Sequence, residues 1–253
     1  MTDTKKGLSS DALKLIAIIA MLTDHIAWAF VPGGTTAAII MHAIGRLTAP
    51  IMCYFIAEGY HHTRNVRKYM ARLGIFAVIS QIPFLMAESL SAPPILIGNG
   101  NLWVNPDIFS LYFNVYFTLF LGLVALHIWK TEKNPVTQVF SVIGICFIAT
   151  IGDWMFFSVL WILFFGIYRN DIRRQTIAYY CVAFSCMVVV VLPKILIGTP
   201  LWQCLWVLGL LFPPLLFSRY NGKRGNSGAV GKWFFYLFYP LHLLVIGIIK
   251  LYF

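Results

Sequence analysis

Two titratable residues, Asp24 and His25, lie side by side inside an apolar stretch that is long enough to span a membrane. A charged side chain at bilayer depth costs roughly 2.5 kcal/mol or more, so such a residue marks a functional site by default. Lys14 lies about three helical turns before His25 and projects from nearly the same helix face. This first stretch therefore carries a basic residue near one end and an Asp-His pair near the other, which favours polar chemistry within the membrane.

The second apolar stretch contains Arg46, which stays protonated and must therefore face a partner, water or an anionic ligand. Pro50 has no N–H, so it leaves the carbonyl of residue 46 unpaired and predicts a kink beside Arg46. We expect an ion pair between Asp24 and Arg46 across the two helices. One interpretation is a structural pair beside a buried histidine. In the other, His25 is a general base or transient nucleophile, and Arg46 stabilises negative charge.

Further polar residues interrupt later apolar stretches. Asn114 and Thr118 are four residues apart and share a helix face, where Thr118 is expected to bond a neighbouring helix. His242 follows Pro240 in mid-span, and it is either a helix–helix hydrogen-bonding group or a second active-site imidazole.

At the opposite end of the second stretch lie Glu58 and His62, followed by the basic residues Arg64 and Lys68. The E-x-x-H-H spacing offers two or three metal ligands, but no second ligand motif accompanies it, so we predict no metal site. The basic run either signals membrane topology or contacts the phosphates of a cofactor. Walker and G-x-G-x-x-G motifs are absent, which disfavours nucleotide hydrolysis and dinucleotide redox chemistry.

The composition indicates a polytopic membrane protein, because 60% of the residues are hydrophobic, only 11% are charged and the mean hydropathy is +0.80. The net charge of +10 comes from clusters between the apolar stretches. If the N-terminus is cytoplasmic and each stretch crosses once, these clusters all face the cytoplasm, and the other side keeps only Lys194 and Lys250. This positive-inside pattern explains the charge without a nucleic-acid partner.

Proline- and glycine-rich breaks divide the chain into about nine apolar spans, which predicts an all-α polytopic bundle that forms a single integral membrane domain over residues 1–253. The five cysteines lie in apolar runs and read as small buried residues. The predicted spans lie near residues 11–32, 37–60, 69–87, 107–129, 136–151, 154–169, 176–193, 201–218 and 232–252.

Read together, these segments resemble the TraX family of membrane proteins. At one position the chain departs from the family, which tends to show Asp-Tyr-Gly-x-x-Gly where this chain has Asp153 through Ser158 without either glycine. Lys14 and His25 are also similar to a basic residue and histidine spaced eleven apart in the first helix of acyltransferase family three, where arginine is usual. The segments that carry the TraX resemblance are Lys14 with Asp24-His25, Gly45-Arg46 with Pro50, Glu58-Gly59-Tyr60 with His62-Thr63-Arg64 and Lys68-Tyr69, Ser80-Gln81-Ile82-Pro83, Asn114 with Thr118-Leu119, and Phe235 through Leu243.

The resemblance implies an acetyltransferase of the bacterial inner membrane, since the family's named member acetylates the N-terminal alanine of a conjugative pilin. It implies acetyl-CoA as the donor, membrane lipid as the surroundings and an exported peptide, pilin or other membrane-associated acceptor. The competing hypothesis is a non-enzymatic assembly factor or small-solute transporter. The residues expected to act in transfer are His25, Asp24, Arg46, Asn114 and His242, and those expected to bind the cofactor are Lys14, Glu58, His62, Arg64 and Lys68.

Overall fold

The computed structural model describes residues 7–88, 95–98, 101–105, 111–225 and 228–252. Within these residues the helices group into nine apolar segments, in agreement with the predicted spans. They are α1 (Ser10–Phe30), α2 (Thr36–Gly45) with α3 (Thr48–His62), α4 (Val66–Glu88), α5 (Val115–Thr131), α6 (Pro135–Ala149), α7 (Met155–Ile167), α8 (Ile172–Leu196), a 3-10 helix (Leu201–Leu211) with α9 (Pro213–Ser218), and α10 (Gly228–Tyr252).

Six of the nine segments are long and apolar enough to cross a membrane. The outer surface of the bundle is apolar on many sides, as expected for a protein that faces lipid. The structure is therefore that of a helical membrane protein, whereas the cytoplasmic orientation of the N-terminus stays a prediction. The six spans are Ser10–Phe30, Thr36–His62, Val66–Glu88, Ile172–Leu196, Leu201–Ser218 and Trp233–Tyr252, and the shorter apolar helices are Val115–Thr131, Pro135–Ala149 and Met155–Ile167.

Side-chain caps fix where several helices begin. Ser9 accepts a hydrogen bond from the amide of Ala12 at the start of α1, and Asn134 accepts from two amides at the start of α6, where Pro135 occupies the first turn. Asn114 caps α5 in the same way. The predicted start of the fourth span at residue 107 was therefore wrong, because α5 begins only after the Asn114 cap. Residues 107–110 of that prediction lie outside the described residues.

The all-α prediction also missed a short antiparallel hairpin, which joins α4 to α5. Its strands are β1 (Ile95–Gly98) and β2 (Asn101–Val104), with Ile95 opposite Val104 and Gly98 opposite Asn101. The predicted interruption between the third and fourth spans therefore contains local structure of its own.

Helix α7 lies inside the bundle and packs against α3, α5, α6 and α8. It is apolar around its whole circumference, which is typical of a buried helix. Two glycines allow α5 and α7 to approach closely, because a Cβ at Gly122 would overlap Ile162 and a Cβ at Gly166 would overlap Leu126. The short helices α5 and α7 thus pack directly on each other, and α3, α6 and α8 also lie against α7.

We name the two ends of the bundle after the direction of α1. The N-terminal end holds the start of α1 and the end of α3, and the far end holds the end of α1 and the start of α7. At the far end, Trp154 and Met155 adopt left-handed φ angles of 62° and 45°. Met155 occupies the position where the family resemblance places a glycine, a residue that adopts this conformation without steric cost.

Candidate active site

The far end of the bundle contains a cavity of about 430 Å³, which we call the far-end cavity. Three of the residues predicted to act in catalysis, Asp24, His25 and Arg46, line it. Glu88 and Asp153 line it as well. The structure therefore brings together titratable groups from α1, the α2–α3 break, α4 and the turn between α6 and α7.

A chain of hydrogen bonds fixes the protonation of the two histidines. Nδ1 of His242 lies 2.8 Å from the carbonyl oxygen of Phe238, and Nε2 of His242 lies 2.9 Å from Nδ1 of His25. Because a carbonyl only accepts, Nδ1 of His242 donates to it, and Nε2 of a neutral His242 must accept from His25. His25 then carries its proton on Nδ1, which leaves Nε2 as a base that lies 3.8 Å from Oε1 of Glu88.

The expected ion pair between Asp24 and Arg46 is present. Nη2 of Arg46 donates to both carboxylate oxygens of Asp24, at 3.1 and 2.9 Å, and Nδ1 of His42 lies 2.8 Å from Oδ1 of Asp24. The pair forms because α2 packs closely on α1, where a Cβ at Gly45 would overlap the side chain of Asp24. Asp24 is thus engaged with α2 and does not orient its neighbour His25.

Arg46 lies at the break between α2 and α3, as Pro50 predicted. Its guanidinium carbon is 4.8 Å from the ring centre of Trp154 and 4.9 Å from that of Trp206, so two indoles enclose the cation. Nζ of Lys194 lies 5.3 Å from the same Trp206 ring. The far-end cavity therefore has two cations, Arg46 and Lys194, in its lining.

Two carboxyl groups supply the acidic character of the same cavity. Glu88 ends α4 beside His25, and Asp153 lies in the turn that precedes α7. Burial raises the pKa of Asp153 to about 7, although the Arg46 charge opposes this rise. A carboxyl with such a pKa exchanges a proton near neutral pH, so the cavity contains a second proton acceptor besides His25.

A second cavity, of about 480 Å³, opens at the N-terminal end, and we call it the N-terminal cavity. Lys14, Glu58 and His62 line it, as do Arg72 and Arg224. Its walls include aromatic rings, and Nζ of Lys14 lies 5.0 Å from the ring centre of Phe55 and 5.4 Å from that of Phe235. The cavity thus combines several cations with an apolar interior.

Glu58 is neutralised within this cavity. Nε of Arg169 donates to one of its oxygens at 2.7 Å and Nη2 donates to the other at 3.2 Å, while His62 lies 3.0 Å from the same Nη2. The hydrogen bond from Arg169 to Glu58 raises the pKa of the guanidinium further. Arg169 lies 111 residues from Glu58 in the chain, and no motif in the sequence pointed to it.

Not all predicted residues lie in a cavity. Arg64 and Lys68 are exposed and line neither cavity, whereas Arg72 from the same basic run does line the N-terminal cavity. Asn114 is completely buried away from both cavities, where Nδ2 donates to the Ala77 carbonyl and to Gln81 and Oδ1 caps α5. These contacts make Asn114 a helix cap, and the structure does not place it in the lining of the cavity that contains Asp24, His25 and Arg46.

His242 lies behind His25 and does not line the far-end cavity. The sequence analysis also missed Glu88, which ends an apolar stretch, and Arg72, which belongs to a run of basic residues. Glu88 could have been noticed as a carboxyl at the edge of a span, but nothing in the neighbouring sequence places it beside His25.

A family model and one relative each match nearly the whole chain. The family model described as TraX protein matches residues 9–250. A protein of Dichelobacter nodosus, named probable fimbrial assembly protein FimC, serogroup H1, is 34% identical over 244 residues, which are 96% of each chain. The uncharacterized protein RP591 of Rickettsia prowazekii (strain Madrid E) is 38% identical over 72 residues, which cover 28% of this chain and 25% of that protein. No solved structure matches the chain.

Proposed function

Because the chain belongs to the TraX protein family, we propose that it is a membrane-embedded acetyltransferase that uses acetyl-CoA. The observation that carries the proposal is the hydrogen-bonded order Phe238 carbonyl, His242, His25. It leaves Nε2 of His25 unprotonated in a cavity that also contains the guanidinium of Arg46. A base beside a fixed cation is the arrangement that acyl transfer requires.

The N-terminal cavity would receive the donor. Acetyl-CoA carries phosphates at one end and a thioester at the other, and this cavity offers Lys14, Arg72 and Arg224 together with an apolar interior. Nε of Arg72 is buried and lacks a hydrogen-bond partner among the described residues. The positive-inside pattern predicts that the N-terminal end of the bundle faces the cytoplasm. This cavity would therefore open to the cytoplasm, which is the source of acetyl-CoA.

In the proposed step, Nε2 of His25 removes a proton from an amine or hydroxyl of the acceptor, which attacks the thioester carbonyl carbon. The oxygen that becomes negative lies near Arg46, whose charge stabilises it. The carbon–sulfur bond then breaks, the sulfur of CoA takes the proton from His25, and the acetylated acceptor and free CoA remain. A transient acetyl group on His25 would use the same nitrogen lone pair.

The acceptor is proposed from the relatives. The name of the Dichelobacter protein refers to fimbrial assembly, and we extend this to an exported fimbrial or pilin-like subunit as the acceptor for this chain, at the inner membrane. The carboxyl groups of Glu88 and Asp153 in the far-end cavity would attract a protonated N-terminal amine. One of these carboxylates would take the first proton, so that the neutral amine enters the step with His25 described above.

Release of CoA from acetyl-CoA by purified protein in lipid nanodiscs tests the proposal. Without acceptor, water takes its place, so we expect slow CoA release by the wild type. We expect His25→Ala to lower this rate by about 10²- to 10⁴-fold, the usual contribution of a general base. His127→Ala is the matched control, since His127 is a half-buried helical histidine that lines neither cavity.

Equal rates in the wild type and His25→Ala would contradict the proposed role of His25. No release and no binding of acetyl-CoA by the wild type would favour the non-enzymatic assembly factor or transporter. A transporter would also require an ion gradient, whereas acetyl transfer requires only donor and acceptor.

A further inference from the structure

We infer that four side chains between the two cavities form a septum through which the acyl group passes and that their size excludes branched acyl groups. The inference rests on the proposed function and assigns a specificity role to residues that take no part in the chemistry. We call Met52, Tyr116, Leu119 and Phe235 the septum.

The two cavities meet at these residues. Each of the four lines both the N-terminal cavity and the far-end cavity, and they come from α3, α5 and α10. Lys14 lies on one side of the septum and His25 on the other, roughly 16 Å apart along α1 at 1.5 Å per residue. A donor held by Lys14 therefore reaches His25 only if its acyl end passes the septum.

One half of the septum is held in place. Tyr116 and Leu119 are buried, and the hydroxyl of Tyr116 donates to the carbonyls of Phe235 and Tyr236, at 3.3 and 3.0 Å. Pro240 has no N–H, so the carbonyl of Tyr236 lacks its partner within α10 and is free to accept this bond. This contact anchors α10 to α5 and fixes one wall of the passage.

The other half consists of less constrained side chains. Met52 is half-buried on α3, and its unbranched chain has three rotatable bonds. Phe235 is also half-buried, and its ring faces Nζ of Lys14. Since Phe235 is held at its backbone by Tyr116, Met52 is the septum residue that can most easily move, and its volume sets the width of the passage.

Such a passage discriminates between acyl groups by their cross-section. The acetyl group is as narrow as the carbon chain that carries it, whereas the isobutyryl group adds a branch beside the carbonyl. One extra methyl or methylene that does not fit an apolar site is discriminated by about 10- to 200-fold. We therefore expect wild-type protein to release CoA from acetyl-CoA at least about tenfold faster than from isobutyryl-CoA.

The test compares both thioesters in three variants of Met52. Met52→Ala widens the passage, so the preference for acetyl-CoA should fall by about tenfold. Met52→Leu preserves the volume and should keep the wild-type preference. Met52→Phe narrows the passage and should lower CoA release from acetyl-CoA by a larger factor than it changes the Kd, because the cations of the N-terminal cavity remain in place. Met187→Ala, a half-buried methionine that lines neither cavity, is the matched control.

The septum and the proposed function fail in different ways. If the wild type neither binds acetyl-CoA nor releases CoA, the proposed function is overturned. If the wild type is active but its preference is the same in Met52→Ala and Met52→Leu, the septum inference alone is overturned. Full activity of Met52→Phe, or equal use of both thioesters by the wild type, would also overturn it.

Discussion

At the scale of single residues, Asp24 and His25 are adjacent in the sequence but contact different partners at the far-end cavity. Asp24 bonds Arg46 and His42, whereas His25 bonds His242. Because neighbouring residues on a helix point in different directions, the Asp-His pair serves two different partners. The first pair neutralises a cation at bilayer depth, and the second determines which nitrogen of His25 is free to act as a base.

In the proposed mechanism His242 positions His25 through their hydrogen bond, so its replacement is expected to change turnover and not binding. In His242→Phe, the imidazole of His25 loses its hydrogen bond with His242. We therefore expect kcat for CoA release to fall on the order of 10- to 100-fold, as for outer-shell partners of metal-bound imidazoles. The KM for acetyl-CoA should stay unchanged, since His242 lines neither cavity.

His242→Gln provides the matched comparison, because its amide oxygen can accept the hydrogen bond from His25. This variant should retain more activity than His242→Phe. Equal kcat values for the two variants would show that the hydrogen bond does not position His25.

At the scale of helices, close approach of backbones brings the functional side chains together. Gly45 allows α2 to lie against Asp24, and Gly122 with Gly166 brings α5 onto α7. Two prolines act in a different way, because Pro50 opens the α2–α3 break beside Arg46 and Pro240 frees the carbonyl that Tyr116 bonds. Small residues and breaks thus decide the geometry of helices whose sides are otherwise uniformly apolar.

Adding a methyl group at Gly45 should disrupt the Asp24–Arg46 pair. The new Cβ overlaps the side chain of Asp24, so we expect Gly45→Ala to destabilise the protein by about 1–3 kcal/mol, the usual effect of overpacking. Gly144→Ala is the control, because nothing lies within 4 Å of its added Cβ in α6. Alanine favours a helix over glycine by up to about 1 kcal/mol, so the control should be neutral or stabilising.

Thermal unfolding of both variants in the same lipid nanodiscs measures this difference. The prediction would be contradicted if Gly45→Ala unfolded at the wild-type temperature, or if both variants lost the same amount of stability.

At the scale of the whole molecule, charge is distributed unevenly between the two ends. The N-terminal cavity contains Lys14, Arg72 and Arg224, and the exposed Arg64 and Lys68 lie nearby in the chain. At the far end, the cations among the described residues are Arg46 and Lys194, which contact indole rings, and Lys250, which donates to the carbonyl of Ala87. This asymmetry predicts that the N-terminal end faces the cytoplasm, which would give the two cavities access to opposite sides of the membrane.

Cysteine labelling tests this orientation. In a variant without the five native cysteines, Gly33→Cys at the far end should react with a membrane-impermeant maleimide in intact bacterial spheroplasts. Lys133→Cys, between α5 and α6 at the N-terminal end, should react only after the membrane is made permeable. Both positions are exposed and lie outside the helices. The opposite labelling pattern would contradict the predicted orientation. The proposed donor cavity would then face away from the cytoplasm.

The sequence by itself determined the class of the protein, the approximate spans, the Asp24–Arg46 pair and the break at Arg46. These features depend on hydropathy, on proline and on the cost of a charge in lipid, all of which act locally. Only the tertiary structure placed His242 beside His25 and Arg169 on Glu58, and it showed that Asn114 caps α5 and lines neither cavity. Helices in lipid are apolar on nearly every side, so their sequences do not reveal which faces meet, and the partners of each polar group are decided by packing.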